Sequence, residues 1–388
     1  MENFFAPCPR GLENALIQEL AALEATDLRA ADGGVHFAGP YALAYRANLA
    51  SRIASRVLWR VADAPYKSEE DIYKFTLALK WPQWFDVGRT IRVNLAAVRC
   101  PLKSLDFVTL RIKDAVCDAF RAKGGERPSV NTQTPDVRIH AFLTADRLTL
   151  YIDTSGEPLF KRGYRTETGE APLRENLAAG LVRLSGWTPS EALLDPMCGS
   201  GTILIEAALI ALNIAPGSRR SFAFEKLKNF DRREWDGLLL AAKAQEVPRN
   251  ATLPIYGGDL YGDELKNART NIAAAGLENL IPLKQANVLE TPAPAASGVI
   301  VTNPPYGVRL AEAHDLAEFY PKLGDALKQR FSGWRAYIFT GDAQLPKLIR
   351  LSASKRTPLY NGAIECRLLE YKIMAGSMRK VKPVKDEG

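Results

Sequence analysis

The sequence predicts an α/β domain built on a mostly parallel sheet over its second half, preceded by a smaller α+β module. Three observations carry that prediction. Short apolar runs closed by turn residues (EALLD, LPIYGGD, GVIVTNPP and RAYIFTGD) alternate with helical stretches late in the chain, as a sheet covered on both faces requires. The first 150 or so residues hold short local elements and no glycine-rich phosphate loop. Between the two, SGEPLFKRGYRTETGEAPLRENLAAG concentrates glycine, proline and charge, which marks a boundary near 155–175.

Composition narrows the class. The chain has 388 residues, 47% hydrophobic and 24% charged, which excludes a mostly disordered polypeptide. That length suits two or three domains, each with a core of its own. Five scattered cysteines (Cys8, Cys100, Cys117, Cys198, Cys366) include no close pair, which argues against a disulfide framework or zinc knuckle. His36, His140 and His314 lie far apart and read as structural or surface residues, so no metal is expected. The N-terminus gains charge too early for a signal peptide, and no apolar run is long enough to span a bilayer. A soluble cytoplasmic protein with no membrane partner is expected. The net charge of +7 is uneven. Residues 1–160 hold 20 basic and 19 acidic side chains, and residues 161–388 hold 31 and 25. Residues 89–127 form a local basic patch of nine basic and four acidic side chains, suited to a polyanion.

In chain order, the first 60 residues read as strand, helix, strand, helix. Leu12, Ala15, Leu16, Glu19, Leu20 and Leu23 form a largely apolar helical stripe; GGVHFAG is a short strand; YALAYRANLASRIASRVLWRV is the second helix. A helix around Ile72–Leu79, the strand RTIRVNLAAV and the helix DFVTLRIKDAVCDAF follow. VRIHAFLTADRLTLYIDT is then a hairpin turning at Ala145-Asp146.

In the second half, the strand Leu193-Leu194-Asp195 runs through Pro196-Met197-Cys198-Gly199-Ser200-Gly201-Thr202 into an apolar helix. A plain strand–helix turn needs one glycine and no acid. Paired glycines let the backbone approach a ligand, and the helix start offers unpaired N–H groups. The loop is not a Walker loop, since no Lys-Ser/Thr follows, nor a dinucleotide GxGxxG, since Leu204 stands where the third glycine belongs. Gly257-Gly258-Asp259 ends the next strand, where an acid can take both hydroxyls of a ribose. A long insertion near 213–250, rich in Arg, Phe and Trp, separates the two sites, and its composition favours a large structured RNA as partner. The third signal is Val299 to Gly307, VIVTNPPYG. Its two prolines stiffen a corner after a buried strand. Asn303 and the Pro304 carbonyl can accept from a flat –NH2 group, while Tyr306 offers a ring to stack a base.

Asp195-Pro196-x-Cys198-Gly199-Ser200-Gly201-Thr202 together with Asn303-Pro304-Pro305-Tyr306 resembles the class I S-adenosylmethionine-dependent amino-methyltransferases. Four further motifs are Lys161-Arg162-Gly163-Tyr164-Arg165, Ala171-Pro172-Leu173-Arg174-Glu175-Asn176-Leu177-Ala178, Phe222-Ala223-Phe224-Glu225 and Tyr360-Asn361-Gly362-x-Ile364-Glu365-Cys366. Together they are similar to the THUMP-containing RNA methyltransferases, above all the bacterial family methylating guanine N2 in 23S ribosomal RNA. The resemblance covers nearly the whole chain and is strongest over 160–370.

It implies a Rossmann-like class I methyltransferase domain, with a mostly parallel seven-stranded sheet, behind a ferredoxin-like plus THUMP module. The implied divisions are a ferredoxin-like segment at 1–65, a THUMP RNA-binding domain at 66–157 and a linker at 158–175. The methyltransferase domain follows at 176–378 and a flexible tail at 379–388. It implies S-adenosylmethionine as cofactor, held by Asp195, Pro196, Cys198, Gly199, Gly201, Thr202, Asp259, Asn287 and Asn176. Asn303, Pro304, Pro305 and Tyr306 would hold the target base, and Lys161, Arg162, Tyr164 and Arg165 would contact ribosomal RNA. Two positions depart from the family pattern: Gln285-Ala286-Asn287 lacks the usual adenine-facing Asp, and Tyr261 stands where a second acid is common. A tRNA guanine-N2 enzyme, an adenine-N6 DNA enzyme and a non-catalytic RNA-binding module are the alternatives. The sequence does not fix the oligomeric state.

Overall fold

The computed structural model describes residues 1–165, 173–249, 252–305 and 310–374, with side chains in the last segment from residue 316 on. The N-terminal module runs β1 (Glu2–Pro7), α1 (Glu13–Ala22), β2 (Thr26–Ala31), β3 (Gly34–Gly39), α2 (Ala42–Ala50), β4 (Leu58–Pro65) and α3 (Glu69–Ala78). It continues with β5 (Ile91–Ala97), α4 (Leu105–Gly124), β6 (Val137–Leu143) and β7 (Arg147–Asp153). The second half runs α5 (Glu175–Leu184), β8 (Ala192–Asp195), α6 (Thr202–Ala211), α7 (Arg232–Ala244), β9 (Ile255–Asp259), α8 (Gly262–Ala274) and β10 (Leu283–Gln285). Then come β11 (Gly298–Thr302), α9 (Leu310–Arg330), β12 (Arg335–Thr340), α10 (Leu345–Leu348), β13 (Lys355–Asn361) and β14 (Ile364–Lys372).

Among the described residues the strands form two seven-stranded sheets. The first has the order β2-β3-β1-β4-β7-β6-β5 and is antiparallel except for the β5/β6 pair. Period-two burial places Phe4, Ala6, Val35, Phe37, Ile139 and Leu150 on the face under the helices. On α1 the stripe Leu12, Ala15, Leu16 and Leu20 is buried as expected. Two expectations need correction here. The predicted second helix stops at Ala50, where Ser51 turns extended, and its last stretch is strand β4. Alternating arginine and small residues carry both periods, and pairing with β1 and β7 selects the strand. The missed strand β2 is a polar edge strand with no buried residue, so it lacks the apolar signal. Because β4 bonds both β1 and β7, the two N-terminal halves share one sheet.

The second sheet has the order β10-β9-β8-β11-β12-β14-β13, parallel except where β14 runs against β12 and β13. Every residue of β8 and β11 is buried. The chain leaves β8 towards β9 and β10, then returns to β11 on β8's other side. The carboxyl ends of β8 and β11 therefore face a topological switch point, where open α/β sheets bind ligands.

The two halves share one continuous core. The insertion at 213–250, expected to face RNA, instead seals this junction. Phe222, Phe224 and Trp235 are buried, and the Tyr45 ring on α2 lies 4.6 Å from that of Phe224. Each such side chain contributes roughly 1.5–3 kcal/mol. Arg52 donates to the carbonyls of Leu209 (3.1 Å) and Ile214 (2.7 Å) at the end of α6. In the basic patch, Arg111 pairs with Glu70, Arg121 with Asp118 and Lys113 with Asp114, so part of its charge is neutralised.

Candidate cofactor and base site

Three strand ends meet at the switch point. Asp195 closes β8 and is buried. Its Oδ1 accepts from Met197 N (3.2 Å) in the loop and from Thr302 Oγ1 (2.8 Å) on β11. The second bond ties the glycine loop to the residue preceding Asn303. On the other side, Asp259 at the end of β9 accepts from Gly199 N (2.9 Å) and Tyr261 N (3.0 Å), while Cys198 N donates to Gly258 O (2.9 Å). The loop is thus bolted to both neighbouring strands. Gly199 and Gly201 have φ of 48° and 79°, a left-handed backbone that side-chain-bearing residues seldom adopt. Gly201 caps α6, and the Asn271 amide on α8 donates to Ser200 O (3.1 Å).

The electrostatics of this crevice are acidic. Burial pushes the Asp195 pKa up to about 7, with the Asp259 charge adding to it. Glu264, whose carboxylate would stand 3.9 Å from a Cβ on Gly199, is raised by burial and by Asp259 and Asp263. Among the described residues no cation is one of the groups shifting either acid, so a cationic ligand fits them. Cys198 is buried and its thiol is pushed well above the ordinary range by burial, which makes it packing rather than a nucleophile. The described residues contain no cluster of metal-ligating side chains, and none of their helices is long and apolar enough to cross a membrane.

The base corner begins one residue past β11. Among the described residues, the buried Asn303 Oδ1 has no hydrogen-bond partner. Leaving such an acceptor unpaired costs roughly 1–3 kcal/mol, which a donor on a ligand would offset. Pro304 is buried and Pro305 exposed; Tyr306 lies outside the described residues.

Other expected contacts sit differently. Of the expected RNA-binding run, Lys161 is exposed and paired with Glu157 (2.7 Å). The other three are turned inward. Arg162 donates to the carbonyls of Leu159 (2.6 Å) and Arg52 (2.5 Å). Tyr164 OH donates to Glu206 (2.9 Å). Arg165 donates to Leu173 O (2.6 Å) and Thr202 Oγ1 (2.9 Å), 3.3 Å from Glu175. These three offer little surface to RNA, because their guanidinium and hydroxyl groups face carbonyls, hydroxyls and carboxylates inside the chain. Arg165 instead anchors the first residue of α6 beside the glycine loop, a role its basic surroundings in sequence concealed. Asn176 gives its amide NH2 to Ile53 O and Ser55 Oγ (3.1 Å each) in the N-terminal module, leaving Oδ1 buried and unpaired. Asn287 Oδ1 accepts from Leu289 N (3.0 Å) in a local turn. Ala171 and Pro172 lie outside the described residues.

A family model for the RMKL-like methyltransferase domain matches residues 162–370, one for the THUMP domain matches 66–153, and one for the RlmL ferredoxin-like domain matches 3–58. Ribosomal RNA large subunit methyltransferase K/L of Shewanella sp. (strain W3-18-1) is 39% identical over all of this chain and 55% of its own length. That of Aeromonas hydrophila is 39% identical over 99% of this chain and 56% of its own. The chain thus spans about half the length of these curated relatives. Among solved structures, SMU.472 in complex with SAH superposes with a TM-score of 0.88 at 31% identity, covering 97% of this chain and 99% of that one. A predicted N6-adenine-specific DNA methylase from Listeria monocytogenes gives 0.86 at 31%, covering 95% and 96%. The chain belongs to the RMKL-like methyltransferase family, with a ferredoxin-like and a THUMP segment ahead of its catalytic fold.

Proposed function

We propose that the chain is a cytoplasmic S-adenosylmethionine-dependent RNA methyltransferase acting on the exocyclic N2 amine of a guanine in 23S ribosomal RNA. The observation that carries this is the unpaired, buried Asn303 amide oxygen, one residue beyond a strand bonded to the acid-lined glycine loop. The names of the curated relatives support the substrate class.

When bound, S-adenosylmethionine supplies a methyl group already made electrophilic by its sulfonium. The residues of the chain then have only to bind, orient and stabilise. Asp195, Pro196, Cys198, Gly199, Gly201 and Thr202 surround the methionine part, with the carboxylates answering its cationic charge. Asn176 enters through its free Oδ1. Asp259 holds the ribose, and Asn287 lies towards the adenine. Asn303 Oδ1 and the Pro304 carbonyl accept the two hydrogens of the guanine amine, Pro305 stiffens the corner, and Tyr306 stacks the extruded base. Acceptors on both N–H bonds hold the amine in line and stabilise positive charge developing on nitrogen. Positioning of this kind can supply about 7–11 kcal/mol of the barrier. No general base is needed, because the methylated nitrogen is acidic enough to release its proton to water.

The test is to incubate the full chain with isotopically labelled S-adenosylmethionine and, separately, unmethylated 23S ribosomal RNA, tRNA and duplex DNA, then digest and identify the labelled nucleoside. N2-methylguanosine from 23S ribosomal RNA is the expected product. Label in N6-methyladenine of DNA, or in tRNA alone, would replace this reading with one of its competitors. RNA binding without any transfer would reduce the chain to a binding module.

A further inference from the structure

The face of the first sheet turned away from its helices carries a row of polar and aromatic side chains, exposed at Asn3 and Arg29, half-buried at Phe5, His36 and Arg60, and buried at Tyr151. Register sets Phe5 opposite His36 on β3, and His36 opposite Arg29 on β2. Asn3 stands opposite Arg60 on β4, and Arg60 opposite Tyr151 on β7. Directly opposed residues share a face. Here the Phe5 ring centroid lies 4.7 Å from that of His36 and 6.3 Å from that of Tyr151. Beside this row is a hollow of about 340 Å³, lined by Asn3, Asp27, Arg29, His36 and Arg60 among others.

Two features of the hollow point to a ligand. Neither Arg29 nor Arg60 makes an ion pair or side-chain hydrogen bond among the described residues. Most other arginines of this module are paired with carboxylates or capped by carbonyls, as with Arg56–Asp153, Arg147–Asp63 and Arg138–Glu157. The hollow thus holds two uncompensated guanidiniums against one carboxylate, Asp27. His36 feels the same field: burial first, then Arg60 and Arg29, push its pKa below the ordinary histidine value, which favours the neutral ring.

We propose that this face binds a single-stranded segment of the RNA substrate, with Arg29 and Arg60 holding backbone phosphates and the Phe5–His36 pair stacking a base. The chemistry matches on both counts. Guanidiniums grip phosphates bidentately, and aromatic rings on an open sheet take bases with little regard to sequence. A duplex, whose bases are stacked internally, would leave Phe5 unused. The site rests on the RNA reading above and gives it a contact surface apart from the methyl-transfer crevice.

The experiment uses the full chain and a fluorescein-labelled single-stranded RNA of about a dozen nucleotides, followed by anisotropy across a salt series. In R29E/R60E the Kd should rise at least tenfold, and the slope of log K against log salt should fall by about 1.4, the loss of two single-strand phosphate contacts. In F5A the Kd should rise about fivefold or more with the salt slope unchanged. Calorimetric affinity for S-adenosylhomocysteine should stay within twofold in both variants, which also shows that they fold. Wild-type RNA binding with an unaltered Kd and salt slope in R29E/R60E would overturn the site while leaving the enzyme's RNA substrate in place. Failure of the wild type to bind or methylate RNA would overturn the substrate reading, and the site with it.

Discussion

The two seven-stranded sheets use polar residues in opposite ways. In the second sheet, β8 and β11 are buried along their whole length, and the polar side chains Asp195, Asp259 and Asn303 stand at or just past the carboxyl ends. In the first, one face is core and the other carries Arg29, His36, Phe5 and Arg60 along the strands themselves. A parallel sheet sandwiched by helices can expose function only where its strands stop. A sheet open on one side can display it along the strands. On the function and RNA face proposed above, turnover and cofactor affinity belong to strand ends, and RNA affinity belongs to a face.

The sharpest way to break that separation is N303A. Loss of one positioned acceptor should lower kcat by roughly 10²–10³, with S-adenosylhomocysteine affinity by calorimetry and RNA affinity by anisotropy within a fewfold of wild type. Loss of RNA affinity in step with kcat would merge the two sheets' roles. Next in size is D259N. It keeps the shape but removes the charge that accepts from Gly199 N, and charge-assisted bonds are worth roughly 1.5–3 kcal/mol, so cofactor affinity should fall about 10–100-fold in equilibrium dialysis.

A third test uses pH. Asp195 has its folded pKa raised to about 7 from an ordinary 3.8, so the folded protein binds more protons than the unfolded chain between those values. Stability of the unliganded protein should therefore fall as pH rises from about 4 to 7. Affinity for S-adenosylmethionine should rise over the upper part of that window, by at most about tenfold per pH unit, and level off above it. D195N should flatten both trends over the upper part of that window, as read by thermal denaturation and dialysis at several pH values, while Glu264, raised in the same crevice, keeps a smaller share.

The smallest effect expected on the site is that of R165M, which cuts the tie to Thr202 Oγ1 and Leu173 O. Amides of Gly201 to Ile203 should exchange a fewfold faster in the unliganded protein. Glu175, left without its cation, should lower the Tm, and E175Q in the same chain should restore part of it. Unchanged exchange at Gly201 would show that the loop is held by its strand bonds alone.

Legibility in the sequence followed the same division. The glycine loop, Asp259 and the Asn303 corner were readable because each lies at the end of an apolar strand whose run and stop are local signals. Their mutual bonds, Thr302 to Asp195 and Gly199 to Asp259, were not, since nothing in the spacing reports which strand ends are neighbours. Charge misled in the Lys161–Arg165 run. Arginines buried against carbonyls and carboxylates look in sequence like arginines facing solvent, and only the positions of Glu206, Glu175 and the Arg52 carbonyl distinguish them. The aromatics of 213–250 misled for the same reason, because they pack against Tyr45, some 180 residues earlier. β4 was lost to a helix because its pairing partners decide its state.

The most direct test of the account is a crystal structure of the full chain with S-adenosylhomocysteine and a short RNA carrying the target guanine. The prediction is that the guanine N2 donates to Asn303 Oδ1 at about 3 Å, with the cofactor sulfur on the opposite side of that nitrogen. A guanine amine bonded elsewhere, with Asn303 still unpaired, would contradict it.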